Sequence, residues 1–315
     1  MTGTQYTGKV IITGKAHPIL AETLSRYGYT VIDLPTISRE QLMSTIGEAI
    51  GLVLTTRILA DQELLEKATQ LKWIGRLGSG MELIDTDYAV SKGITCVSSP
   101  EGNRLAVAEH ALGMLLGLLH RIPNSFQEVQ NGIWKREENR GVELSGKTIG
   151  IIGYGNTGSE LARLLAPFQV AVLAHDIVKK VFTNNYIQEA SLSTIKEKAD
   201  VISFHVPLTK LTQDMANAEF FGSLQRTPVL LNTSRGKVVH IPALLDALDK
   251  GQISGAALDV LPNENLSSYT ETEKEWLHQL SSRPNVLLTP HIAGYSVEAH
   301  QRMAVVLLKK LGLEP

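Results

Sequence analysis

Short apolar runs rich in Val, Ile and Leu alternate along this chain with longer stretches in which apolar residues recur every three or four positions. In the first hundred residues, Lys9-Val10-Ile11-Ile12-Thr13, Thr30-Val31-Ile32 and Gly51-Leu52-Val53-Leu54 read as strands. Each is followed by a helical stretch, around 19–27, 39–46 and 62–68. Trp73-Ile74-Gly75-Arg76 and Thr95-Cys96-Val97 read as two more strands. A run that is apolar throughout suits a strand covered on both faces. Strand–helix–strand alternation then implies a parallel sheet between helical layers.

A long helical stretch follows over 105–130, which Pro123 is expected to interrupt or kink. The alternation resumes over 147–289, with strands near 148–152, 170–174, 200–204, 228–232, 255–259 and 286–289. Six strands is the number of a complete dinucleotide-binding sheet. Ser98-Ser99-Pro100 and Thr289-Pro290-His291 read as hinges, and the last helix, about 297–311, is expected to return to the first domain. The predicted fold class is α/β, with two doubly wound parallel-sheet domains. A flavodoxin-like substrate domain takes 1–99 and 291–315, and a Rossmann NAD-binding domain takes 100–290.

One segment within this pattern carries chemistry. Gly153-Tyr154-Gly155-Asn156-Thr157-Gly158 reads G-x-G-x-x-G. By itself that spacing is weak, but here a β-branched strand precedes it and a helical stretch follows. Gly153 allows the tight turn, Gly155 lets a pyrophosphate approach the backbone, and Gly158 lets helix and strand pack closely. The helix start offers unpaired amides and a partial positive charge to phosphates. Asp176 ends the next strand, 18 residues past Gly158. There it is placed to accept from both ribose hydroxyls of NAD and to repel the 2′-phosphate of NADP. The bland alternative is a plain strand–turn–helix with packing glycines, which leaves the register of strand, helix and acid unexplained.

Composition narrows the classes. The chain has 315 residues, 43% hydrophobic and 20% charged, with a net charge of −2. That is room for two cores, without the basic excess expected of a nucleic-acid or membrane-surface binder. The lone Cys96 suits a reducing, cytoplasmic setting and a packing role in its strand. The N-terminus shows no charged-then-apolar leader pattern. The apolar run 112–119 is too short to span a bilayer. No Cys/His cluster suggests a metal site.

Three segments fall near the C-terminal ends of predicted strands, where open α/β sheets bind ligands. They are Leu231-Asn232-Thr233-Ser234-Arg235-Gly236, Ala257-Leu258-Asp259-Val260-Leu261-Pro262-Asn263-Glu264 and Thr289-Pro290-His291-Ile292-Ala293-Gly294. Taking a hydride from a hydroxyl-bearing carbon also requires removing the hydroxyl proton, a task suited to His near neutral pH. A carboxylate beside it, Glu264, favours the imidazolium and orients the ring. The Arg235 guanidinium suits a substrate carboxylate. Arg, Glu and His together suit interconversion of a 2-hydroxy acid and a 2-keto acid.

At these residues the chain resembles the D-isomer-specific 2-hydroxyacid dehydrogenases, most closely the phosphoglycerate dehydrogenase branch. The resemblance also rests on Gly75-Arg76-Leu77-Gly78-Ser79-Gly80, Gly102-Asn103-Arg104, Val107-Ala108-Glu109-His110, Gly146-Lys147-Thr148 and His205-Val206-Pro207-Leu208-Thr209. It implies that His291 is the acid/base, Glu264 its support and Arg235 a substrate ligand. Cofactor contacts are implied for Asn156, Thr157, Asp176, His205, Pro207, Thr233, Ser234, Arg235 and Asp259, beside the glycines. The backbone of Leu77, Gly78, Ser79 and Gly80, with Asn103, is implied to hold the substrate carboxylate. Relatives are usually dimeric through the long helix, and the apolar circumference of 105–119 supports a homodimer here.

The chain departs from the family pattern at several points. Asn265 stands where many relatives have Pro, 266–282 lengthens the path from Glu264 to His291, and His240 stands where relatives often carry Asp or Asn. The chain ends at Pro315 without the regulatory domain of some phosphoglycerate dehydrogenases, so serine feedback through such a domain is expected to be absent. Relatives commonly bind the substrate phosphate with an Arg just after the third strand. The ungapped position here is Leu54, which leaves Arg57 to take that role. The alternatives are a glyoxylate or hydroxypyruvate reductase, and an NAD(H)-responsive co-repressor-like binding protein. The bland expectation for His110 is a satisfied core or interface histidine. Trp134 and Trp276 are expected to be packing anchors.

Overall fold

The strands in the first part of the chain are short; the central three are largely buried, and the two at the sheet edges are part exposed. They are β1 (Lys9–Ile12), β2 (Thr30–Asp33), β3 (Ala49–Leu54), β4 (Trp73–Arg76) and β5 (Thr95–Ser98). Between them lie α1 (Pro18–Arg26), α2 (Arg39–Thr45), α3 (Gln62–Lys67) and α4 (Thr86–Ser91). Polar caps start these helices: Asp61 and Asp85 accept from backbone amides at α3 and α4, and Ser38 with Gln41 forms a reciprocal box at α2. The sheet is parallel in the order β2-β1-β3-β4-β5. Winding reverses beside β1, so the loops after β1 and β3 flank a switch point. The computed structural model describes residues 7–315. It divides into two units, the chain up to Arg104 with Gly294–Pro315, and Leu105–Ala293.

The predicted helix over 105–130 is two helices, α5 (Pro100–Leu119) and α6 (Ile122–Gln130), bent by 62°. The break lies at Arg121, whose φ is +54°, and Pro123 sits in the first turn of α6. That is where a missing N–H costs nothing, so the proline starts a helix instead of kinking one. Among the described residues, no single helix is long and apolar enough to cross a membrane.

The second sheet comprises β6 (Thr148–Ile152), β7 (Ala171–His175), β8 (Ile187–Glu189), β9 (Val201–Phe204), β10 (Val229–Asn232), β11 (Gly255–Leu258) and β12 (Val286–Leu288). Helices α7 (Asn156–Leu165), α8 (Leu192–Lys198), α9 (Ala218–Gly222), α10 (Ile241–Asp249) and α11 (Glu271–Ser281) cover it. The order is β12-β11-β10-β9-β6-β7-β8, all parallel, with the switch point between β6 and β9. It has seven strands, against the six expected. The extra strand, β8, is a three-residue edge strand with only Ile187 buried, too short for a periodicity signal. One face packs Ile149 and Ile151 with Ala108, Ala111, Met114 and Leu115 of α5. The other packs Ile152, Phe204 and Leu230 with Leu244 and Phe221.

The last helix, α12 (Val297–Lys310), returns to the first unit. Its Ala304, Leu307 and Leu308 pack with Val10, Ile12, Leu20 and Leu24, while the opposite face of that sheet buries Ile11, Leu52, Leu54 and Ile74. A Cβ on Gly75 would lie 2.7 Å from Leu307, so this strand is glycine where the helix crosses it.

Candidate active site

The glycine turn forms for steric reasons that can be read atom by atom. Gly153 has φ +98°, and a Cβ there would lie 2.6 Å from the His205 carbonyl. A Cβ on Gly158 would lie 2.0 Å from the Gly153 carbonyl oxygen. Gly155 has nothing within 4 Å of a built Cβ, and it begins α7 without any side-chain cap, so the first amides of α7 face open space. This is the cradle a pyrophosphate needs. Asp176 follows β7; its Oδ2 accepts from the Tyr154 amide and its Oδ1 from the amides of Val178 and Lys179, each at 2.8 Å. Burial alone would raise its pKa. Hydrogen bonds from those three amides outweigh that and hold the carboxyl below the usual range, so it is ionised. With three of about four lone-pair directions used, one remains for a ribose hydroxyl, fewer than both hydroxyls require.

At the end of β10 the Asn232 side chain folds the next turn around itself. Its Oδ1 accepts from the amide and hydroxyl of Ser234, and its Nδ2 donates to the Arg235 carbonyl at 2.9 Å. Arg235 is half-buried and donates through Nη1 to the Ser234 carbonyl. Gly236 is pressed against the loop after β11: a Cβ would lie 2.0 Å from the Leu261 carbonyl carbon. That contact binds the Arg235 turn to the loop bearing Glu264. Two buried side-chain atoms here have no partner, Thr233 Oγ1 and His205 Nδ1. His205 Nε2 bonds Ser203 Oγ at 2.8 Å, and burial lowers its pKa to about 4, so it is neutral and no proton donor at neutral pH. The open cradle, the ionised acid and these unpartnered atoms fit a bound NAD.

Glu264 and His291 meet, with His291 Nδ1 2.7 Å from Glu264 Oε2. The 266–282 segment does not intervene, because most of it forms α11, whose first turn Thr270 caps. Both side chains are part exposed, and the pairing leaves Nε2 of His291 to exchange protons. His291 has φ +55°, a left-handed conformation that costs a residue bearing a β-carbon energy. Asp259 holds it there. The Asp259 carbonyl accepts the His291 amide at 2.7 Å, while its carboxylate accepts the amides of Ile292 and Ala293 at 2.9 Å each and the Thr289 hydroxyl at 2.6 Å. The Asp259 side chain is 0% exposed. Its carboxylate therefore acts on the protein's own backbone, not on a cofactor as the resemblance implied.

In the first unit, the amides of Leu77 and Gly78 donate to the Leu54 carbonyl and to Ser99 Oγ. They are thus not available to a substrate carboxylate, while Ser79 is exposed and Gly80 half-exposed. Ser79 donates to Asn103 Oδ1 at 3.2 Å, and Asn103 lies against Gly294. Leu54 is fully buried; Arg57 is exposed and donates to the carbonyls of Thr13 and Ile37, at the switch point of this sheet.

Other residues are placed as follows. Asn156 and Pro207 are exposed and Thr157 half-buried. His240 caps α10 through Nδ1, which accepts from the Ala243 amide. Trp276 packs on the core, but Trp134 is 84% exposed and belongs to no core cluster among the described residues. His110 contacts Thr289 and Asp259, a link hidden in sequence because the residues are far apart. Among the described residues, no group of three or more His, Cys, Asp or Glu could hold a metal ion.

A parallel sheet with a glycine cradle, an acid after the second strand and a Glu–His pair defines a dinucleotide-dependent dehydrogenase class. Residues 112–293 match the family model "D-isomer specific 2-hydroxyacid dehydrogenase, NAD binding domain". D-3-phosphoglycerate dehydrogenase 1 of Saccharomyces cerevisiae is 33% identical over 94% of this chain, which spans 66% of that relative's length. A glyoxylate reductase of Thermofilum pendens is 36% identical, with 87% of this chain and 80% of the relative covered. The structure of D-lactate dehydrogenase from Aquifex aeolicus complexed with NAD and lactic acid superposes with a TM-score of 0.82 at 28% identity, covering 96% and 94% of the two chains. The chain belongs to the D-isomer-specific 2-hydroxyacid dehydrogenase family.

Proposed function

We propose that this protein is an NAD-dependent dehydrogenase interconverting a small D-2-hydroxy acid and its 2-keto acid. The observation that carries this is the 2.7 Å pair of Glu264 and His291 on the same sheet edge as the glycine cradle. When bound, NAD(H) accepts or supplies the hydride. In reduction, His291 Nε2 delivers a proton to the carbonyl oxygen while Glu264 accepts from Nδ1 and stabilises the imidazolium. In the reverse direction His291 takes the hydroxyl proton. Arg235 orients the substrate carboxylate.

The substrate is 3-phosphoglycerate or a close analogue. The names of the yeast relatives and the placement of Arg57 at the first sheet's switch point support this reading. The second reading, a glyoxylate or hydroxypyruvate reductase, is supported by the Thermofilum pendens relative and by the burial of Leu54. The active species is a homodimer. Much of the apolar surface of α5 is spent on its own core. The exposed apolar residues Ile122, Phe126, Val129, Ile133 and Trp134 on and after α6 are the surface for a second copy.

The test is loss of NADH absorbance with 3-phosphohydroxypyruvate, hydroxypyruvate, glyoxylate and pyruvate. Turnover with NADH well above that with NADPH is expected. No turnover on any acid, with NADH-dependent capture of a protein partner, would replace the enzyme by a binding protein.

A further inference from the structure

His291 stands in a left-handed backbone conformation, and the Asp259 carboxylate holds the two residues that follow it. That carboxylate needs its own anchor, because otherwise it would move with the loop it restrains. Thr289 belongs to the same loop and cannot serve alone. Its single hydroxyl proton is spent on Asp259 Oδ1 at 2.6 Å, so its oxygen must accept. The partner is His110 Nε2, at 3.0 Å from Thr289 Oγ1 and 3.5 Å from Asp259 Oδ1. The direction is then fixed: His110 Nε2–H donates to Thr289, and Thr289 donates to Asp259. His110 lies on α5, whose neighbouring Ala108, Ala111 and Met114 are locked in the core of the same unit.

We propose that His110 and Thr289 are positioning residues for His291, tying the Asp259 carboxylate, and through it the 291–293 backbone, to helix α5. The proposal rests on the reading of His291 as the acid–base. A merely structural role would lower stability and leave the kcat of folded protein unchanged. A positioning role lowers kcat because a small displacement of a proton donor is costly, up to ~100-fold for about 1 Å.

The experiment compares Thr289→Val, which keeps shape and loses the hydroxyl, with Thr289→Ser, which keeps it. His110→Phe is compared with His110→Gln, whose amide nitrogen can reach the same point. Val and Phe should lower kcat roughly 10- to 100-fold, with the Kd for NADH within about twofold of wild type, and Ser and Gln should restore most of kcat. The Ile292 and Ala293 amides should exchange with solvent at least about tenfold faster in Val and Phe, and at near wild-type rates in Ser and Gln. If Val or Phe fails to fold, His110→Asn, with its donor drawn back from Thr289, is held to the same expectations. If wild type reduces no 2-keto acid, the functional reading fails, and the amide exchange alone decides the positioning claim. Unchanged kcat with unchanged amide protection, or no difference within each pair of variants, overturns it.

Discussion

The two sheets share a construction and differ in what they place at their strand ends. Both are parallel and both reverse their winding beside their first strand. The edge of the second sheet carries buried Ser203, His205, Asn232, Thr233, Ser234 and Asp259. The first has Thr13, Arg76 and Ser99 buried at its edge, with Arg57 and Ser79 exposed beyond them. Burying a polar group costs energy unless it is hydrogen-bonded, and at this edge all but Thr233 Oγ1 and His205 Nδ1 are, so the second edge is rigid and expensive to alter. The first edge ends in exposed side chains that are replaced at little cost. The Glu264–His291 pair lies on the rigid edge and Arg57 on the replaceable one.

The largest effect should come from the rigid edge. His291→Ala should lower kcat by about 10³-fold, within the range of general acid–base catalysis, while NADH binding, followed by fluorescence, stays near wild type. A variant with near-normal kcat would take the chemistry away from the second unit. Arg57→Ala tests the other edge. If the first unit selects for phosphate, kcat/KM for 3-phosphohydroxypyruvate should fall roughly 10- to 100-fold, the value of a hydrogen bond to a charged group, and that for hydroxypyruvate should hardly change. Equal losses on both acids would make Arg57 a loop brace for Thr13 and Ile37.

The smallest effect concerns the cost of burial itself. His205 is held neutral, with its pKa depressed to about 4 by burial. The unfolded chain takes up a proton near pH 6.5 and the folded chain does not. Stability is therefore unaffected above that value, falls as pH drops through 6.5, and levels off below about 4. At pH 5 the loss from this group is about 2 kcal/mol. Urea unfolding at pH 7 and pH 5 should show a smaller difference for His205→Asn than for wild type. An equal difference would mean that the imidazole is not neutral for the reason given.

The residues legible in the sequence were those whose role follows from local spacing. Gly153, Gly155 and Gly158 are held by contacts within one strand–turn–helix, so their pattern shows them directly. Glu264 and His291 were marked by residue type and strand-end position, and the loop before α11 and the segment after β12 do bring them together. What was illegible depends on distant partners or on single dihedrals. The break at Arg121 is one left-handed residue. Leu77 and Gly78 look like open amides until Leu54 and Ser99 are folded beside them. Asp259 looks like any strand-end acid until burial shows that it is spent on residues about 30 positions later.

The second unit interrupts the first, and this sets an order of assembly. Val10, Ile12, Leu20 and Leu24 await Ala304, Leu307 and Leu308. From Leu24 to Ala304 is about 280 residues, which at roughly 5 to 20 residues per second takes about 15 to 60 seconds of synthesis. For that time one face of the first sheet emerges from the ribosome without its cover, a surface suited to chaperones. The inserted unit meanwhile has all of its own chain and is able to close. The domain begun first is the one completed last.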